Sequence, residues 1–264
     1  MFDETTHADT LLAPDEPSPV LTRSGAAQSR FLLTVDHAGH RIPRSLRQLG
    51  LTEERLTRHI GWDIGILGVS QAMADRLHAP LIAQCYSRLV IDCNRKPGMP
   101  TSIPEISEDD VIPGNLGLEA ADRALRERTF LAPYHQAIGR ALDTHAHTDP
   151  ILLAMHSFTP CYRNDVRPMA AAVMWGRDDR FGRLVAEELR RLRPDDLIAE
   201  NVPYAVDMTQ DYTVPVHAEG RGIPYLAVEI RQDLISDAHG IAVWADVMAD
   251  AVQAAATRLP TATV

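Results

Sequence analysis

Three apolar runs in this sequence each deliver a titratable side chain at or near their end. Phe31 to Val35 leads into Asp36-His37-Ala-Gly39-His40, Ile151 to Met155 leads into His156-Ser157, and Tyr225 to Val228 leads into Glu229-Ile-Arg231. Two imidazoles and one carboxylate are a common ligand set for a catalytic zinc ion, which keeps one further position open for water. His37 and His156 supply the imidazoles. Asp63 is the candidate carboxylate, because it precedes a helical pattern over 66–77 and could fold back toward His37. His40 and His59 compete for the same place, His40 through its ligand-like spacing from His37 in the turn.

Glu229 lies inside an apolar strand pattern, where a carboxylate costs several kcal/mol unless it is paired or working. As a working group it is a general base, taking a proton from a water whose acidity the metal raises. As a paired group it would meet Arg88 or Arg231. Residues 229 and 231 share a strand face, so that second pairing would be loose and both side chains could face a site. Arg88, Asn94 and Arg95 crowd around one short segment, and guanidinium groups suit bidentate recognition of a carboxylate. A small substrate bearing at least one carboxylate is therefore expected. Tyr204, Tyr212 and His217 lie in polar loops that could cover the pocket. Ser157 makes a poor nucleophile beside His156, since neighbouring residues on a strand diverge. The sequence contains no Gly-x-Ser-x-Gly, no Walker loop, no Gly-x-Gly-x-x-Gly and no His-Glu-x-x-His.

The elements that must position these groups alternate between strand and helix. Strands are expected at 31–35, 80–83, 88–92, 151–155, 170–175, 197–199 and 225–228. Helices are expected after Pro43, over 51–58, 66–77, 119–147 with a break near Pro133, 180–191 and 239–256. Two long polar stretches, 96–118 with four prolines and three glycines, and 205–223, read as loops of the kind that form lids or binding surfaces. This alternation predicts a three-layer α/β/α sandwich with a mostly parallel or mixed central sheet, in which ligands bind beyond the carboxyl ends of the strands. Residues 1–29, rich in Thr, Pro, Ser and Asp, read as a leader lying on the surface or partly disordered, ahead of a single catalytic domain over 30–264.

A formal charge of -10 disfavours a nucleic-acid partner, which needs clustered basic residues. No apolar run approaches the roughly 18 residues of a membrane span. The opening Met-Phe-Asp-Glu-Thr-Thr lacks the pattern of a secretory signal, and three cysteines suit free thiols, so a cytoplasmic protein is expected.

Six segments together resemble the N-formylglutamate amidohydrolase family, a branch of the zinc carboxypeptidase and aspartoacylase-like hydrolases. They are Asp36-His-Ala-Gly-His-Arg-Ile-Pro43, Gly61-Trp-Asp-Ile-Gly65, Ser87-Arg-Leu-Val-Ile-Asp-Cys-Asn-Arg95, His156-Ser-Phe158, Asn201-Val-Pro-Tyr204 and Val228-Glu-Ile-Arg231. The resemblance implies a zinc hydrolase fold and cleavage of the amide of a small N-formyl or N-acyl amino acid. It further implies metal ligation by His37 and His156, carboxylate binding by Arg88, Asn94 and Arg95, and Glu229 as base. The wider clan places a Glu three positions after its first ligand His; here that position is His40, so Asp63, His40 and His59 stay open as the remaining ligand. The alternatives are a carboxypeptidase-like peptidase or another deacylase and, in a different class, a metal- or ligand-binding protein without catalysis.

Overall fold

Period-two burial in the strands decides the architecture. In the computed structural model, which describes residues 11–259, Leu33, Val35, Leu153, Met155, Val228 and Ile230 pack into one apolar cluster, while Leu32, Leu152, Ala154, Tyr225 and Ala227 pack into another on the opposite face. A sheet buried on both faces needs a layer of helix on each side.

In chain order the elements are β1 (Val20–Arg23), β2 (Phe31–Val35), α1 (Glu53–Leu56), α2 (Ile66–Leu77), β3 (Leu81–Gln84), a small hairpin of β4 (Ile106–Ser107) and β5 (Asp110–Val111), α3 (Ala120–Arg126), α4 (Ala132–Thr144), β6 (Ile151–Phe158), a second hairpin of β7 (Cys161–Tyr162) and β8 (Asp165–Val166), β9 (Ala171–Met174), α5 (Arg180–Leu192), β10 (Ile198–Glu200), α6 (Thr213–His217), β11 (Tyr225–Arg231) and α7 (Ala238–Arg258). Seven strands form the main sheet in the order β1-β3-β2-β6-β11-β9-β10. β3, β2, β6 and β11 run parallel, with β1 antiparallel at one edge and β9 antiparallel to β11. The carboxyl ends of four adjacent strands therefore open on one edge. Helices α2, α5 and α7 cover one face, and α4 covers the other.

Several local expectations differ from what is observed. Residues 88–92 form a turn rather than a strand, with Val90 N–H donating to Ser87 O at 2.9 Å. Leu89, Val90 and Ile91 are buried all the same, because a short apolar run can satisfy itself against a helix without sheet pairing. The segment after Pro43 is a 3-10 turn in which Arg47, Gln48 and Leu49 have positive φ, not a regular helix. Helix 119–147 is divided by a π-type stretch at Glu127–Leu131, immediately ahead of Pro133, whose ring nitrogen has no hydrogen to donate to the preceding turn. Within the stretches read as loops lie the β4–β5 hairpin and α6, and part of the expected leader forms β1 at the sheet edge. Residues 1–10 of that leader lie outside the described residues. Among the described residues no helix is long and apolar enough to cross a membrane.

Candidate active site

The strand register brings the distant residues together. In the pairing of β11 with β6, Glu229 stands opposite His156. Both lie on the face of Ala154 and Ala227, whose small side chains leave room beneath them. His37 follows β2, the other neighbour of β6. Asp63 is drawn in by its own backbone, since its N–H donates to His37 O at 3.0 Å. Gly65, two residues on, has φ of 82°, and a Cβ there would meet Ile235 O at 2.1 Å. Only glycine fits this bend. Ser87 Oγ and the Arg88 N–H both donate to Gly61 O, stapling the turn that carries Arg88 to the loop that carries Asp63.

His37, Asp63 and His156 each offer one ligand atom, and these atoms lie within 4.8 Å of one another, so the three could hold a metal ion. Asp63 Oδ2 is 3.3 Å from His37 Nδ1 and 3.0 Å from His156 Nδ1. The far nitrogens meet further carboxylates: His37 Nε2 is 2.8 Å from Asp92 Oδ1, and His156 Nε2 is 3.3 Å from Asp36 Oδ2. Asp36 Oδ1 in turn accepts from Tyr134 and Thr213, each at 2.7 Å. A carboxylate behind a ligating imidazole is the usual way its ring is oriented. His40, by contrast, packs on Trp62 at 4.8 Å, and His59 pairs with Glu108 at 3.1 Å.

The electrostatics suit a cation. Burial alone would raise Asp36, yet His156, His37 and Thr213 beside it bring it down to about 2. Asp63 and Asp92 are likewise held low against their burial, by His37 with His156 and by Arg88 with His37 respectively. Burial alone would lower His156, but Asp36 and Asp63 hold it well above its ordinary value. Three ionised carboxylates thus surround two imidazoles that compensate them by taking protons, positions a divalent cation would claim. Glu229 behaves oppositely, pushed up to about 7 chiefly by burial, and its Oε2 is shielded without a hydrogen-bond partner.

His37, Asp63, Asp92, His156 and Glu229 line a cavity of about 680 Å³ together with Arg88, Asn94, Arg95, Arg167 and Tyr204. Arg88 Nη2 donates to Asp92 at 2.6 Å, and Arg88 Nη1 stands 3.6 Å from Asp63. Asn94 Oδ1 accepts from Tyr212 and Thr213 N–H at the start of α6, and Arg95 is bonded to Asp211. Two expected substrate contacts do not line the cavity. Arg231 turns to Asp233 and the carbonyls of Pro168 and Met169, because that strand end abuts the 167–169 segment.

His217 instead packs beneath the site against His135. Their rings stack with centroids 5.2 Å apart, and His135 Nδ1 lies 3.0 Å from His217 Nε2. His135 Nε2 faces Cys93 O at 2.8 Å and must donate, so Nδ1 accepts from His217. Burial depresses both imidazoles, His217 to about 4. The folded protein therefore resists protons that the unfolded chain accepts below about pH 6.5, so the pair's contribution is complete above that value and lost as pH falls toward 4. In thermal melts the parent should lose about 3 kcal/mol more than His217→Gln across that window. Superimposable pH profiles for the two proteins would contradict this.

Asp36, Asp92 and Arg167 are not among the sequence-predicted site residues. The two Asp residues carry a usable signal, a carboxylate next to an apolar run, the same contrast that marks Glu229. Arg167 carries none.

A sheet covered by helices on both faces, with titratable side chains gathered at the ends of its parallel strands, places the chain among the α/β/α sandwiches. The model of the N-formylglutamate amidohydrolase family matches residues 29–236, and the chain belongs to that family, an amidohydrolase by its membership. The crystal structure of a gene product from Agrobacterium tumefaciens is 29% identical over 94% of this chain and 98% of that one, with a TM-score of 0.87. N-formylglutamate amidohydrolase from Ralstonia eutropha is 19% identical over 92% of this chain and 98% of its own, with a TM-score of 0.65, a likeness of fold. No curated protein matches the chain.

Proposed function

We propose that this amidohydrolase is zinc-dependent and cleaves the amide of a small N-formyl or N-acyl amino acid. The observation that carries the reading is the convergence of His37, Asp63 and His156 beside the unpartnered carboxylate of Glu229. The ion would be held by His37 Nδ1, His156 Nδ1 and an oxygen of Asp63, a donor set suited to zinc. When bound, zinc lowers the pKa of a coordinated water to about 7 and polarises an acyl oxygen.

The chain's own groups supply the rest. Glu229 takes the proton of the attacking water and hands it to the leaving amine nitrogen. Its raised affinity for a proton supports this shuttle, although a bound cation would draw it down from about 7. Arg88, held in place by Asp63 and Asp92, presents positive charge where the acyl oxygen becomes negative. Asp92 and Asp36 keep the two imidazoles turned toward the ion. Asn94 holds the α6 segment at the cavity wall.

A substrate screen tests the reading: N-formylglutamate and other N-acyl amino acids should be hydrolysed faster than small peptides, with activity lost to a chelator and restored by zinc. Hydrolysis of peptides in preference to acyl amino acids would favour a peptidase, and no amide hydrolysis with metal retained would favour a binding protein. Asp92→Asn should weaken zinc affinity about 10- to 100-fold, read by competition with a chromogenic chelator. Unchanged affinity would remove Asp92 from its orienting role.

A further inference from the structure

Three guanidinium groups line the cavity, and their states differ. Arg88 is committed to Asp63 and Asp92, and Arg95 to Asp211. Arg167 is only 5% exposed, yet among the described residues it has no ion pair, and its Nε and Nη1 are shielded from solvent without an acceptor. A buried guanidinium in this condition is costly, each unmade hydrogen bond forfeiting about 1–3 kcal/mol. Its surroundings are aromatic. The guanidinium carbon lies 5.9 Å from the Phe158 ring, 5.1 Å from that of Tyr162 and 4.9 Å from that of Tyr204. The Tyr204 hydroxyl accepts one hydrogen bond from the guanidinium, and the ring faces stabilise the cation, but neither gives Nε or Nη1 an acceptor.

We propose that Arg167, rather than Arg88 or Arg95, anchors a carboxylate of the substrate. The inference rests on the reading above and deepens it. Phe158 follows His156 by two residues on β6 and shares its face, so the aromatic cage stands about 7 Å along the strand from the candidate metal ligand. That separation suits an amino-acid moiety whose amide is at the metal and whose carboxylate reaches outward. An anion in the cavity beside this guanidinium would meet a positive charge that no carboxylate among the described residues offsets, in a water-poor setting where a charge-assisted pair is strong.

The test uses the zinc-loaded protein and its Arg167→Met and Arg167→Lys variants, with N-formylglutamate and its two mono-amides as probes, read by steady-state kinetics and by calorimetry with the same compounds. Arg167→Met should raise KM and Kd for N-formylglutamate on the order of 100-fold. The penalty should vanish for the mono-amide lacking the anchored carboxylate, and Arg167→Lys should recover part of the loss with zinc content unchanged. An equal penalty with both mono-amides, or none with any probe, overturns the proposal. Should Arg167→Met fail to fold, the parent's ratio between acid and mono-amides and the Arg167→Lys variant decide in the same way. A parent that binds N-formylglutamate through Arg167 but hydrolyses no amide sinks the functional reading and leaves this inference standing; a parent that hydrolyses it with KM indifferent to Arg167 does the reverse.

Discussion

Glu229→Gln is expected to lower kcat by about 10²- to 10⁴-fold while leaving zinc content and the melting temperature close to those of the parent. The substitution keeps the side chain's shape, and Oε2 makes no hydrogen bond in the fold that would be lost. What disappears is the ability to accept and return a proton. Burial raises the Glu229 carboxyl, which favours its holding the proton between taking it from water and releasing it to the amine. Pairing with Arg88 is the competing explanation for a carboxylate in this strand, but Arg88 bonds Asp92 and leans on Asp63 instead. Near-parental turnover by the Gln variant would exclude Glu229 as the base.

His156→Ala should abolish zinc retention, reduce activity by at least about 10³-fold, and destabilise the protein by about 3–5 kcal/mol. The stability loss follows from the charges left behind. Asp36 and Asp63 are both buried, and the His156 imidazole lies between them. His37→Ala provides the contrast, because Asp63 and Asp92 would still share Arg88. It should lose metal to a similar extent with a smaller fall in melting temperature. Metal analysis by atomic emission and melts of the apo-proteins check both parts. Equal melting temperatures for the two variants would contradict the charge argument, and retained zinc in both would remove these imidazoles from the ligand set.

Much of the site is legible along the chain because each group is announced by the same local contrast, a polar residue at the end of a run that must be buried. His37, His156 and Glu229 all satisfy it. The contrast says nothing about partners. Arg88 and Arg95 look like substrate contacts in a list of residue types, but the fold gives each an internal carboxylate, whereas Arg167 emerges only because rings from β6, β7 and the loop carrying Tyr204 close around it. Arg231 and His217 are drawn away by the neighbours their backbones happen to meet. The turn at 88–92 escapes a local reading for a related reason: buried apolar side chains do not reveal whether the backbone beneath them is paired.

The amino-acid order alone determines the alternation of elements, the two-sided burial of the sheet and the delivery of titratable groups to strand ends, since all three follow from residue spacing against periods of 2 and 3.6. Strand order and register lie beyond it. Those long-range pairings, 31–34 with 151–154 and 225–231 with 152–158, bring His37, His156 and Glu229 to one edge and decide which charges meet there. Their energy comes from contacts between residues more than 70 positions apart, which no local window of sequence contains.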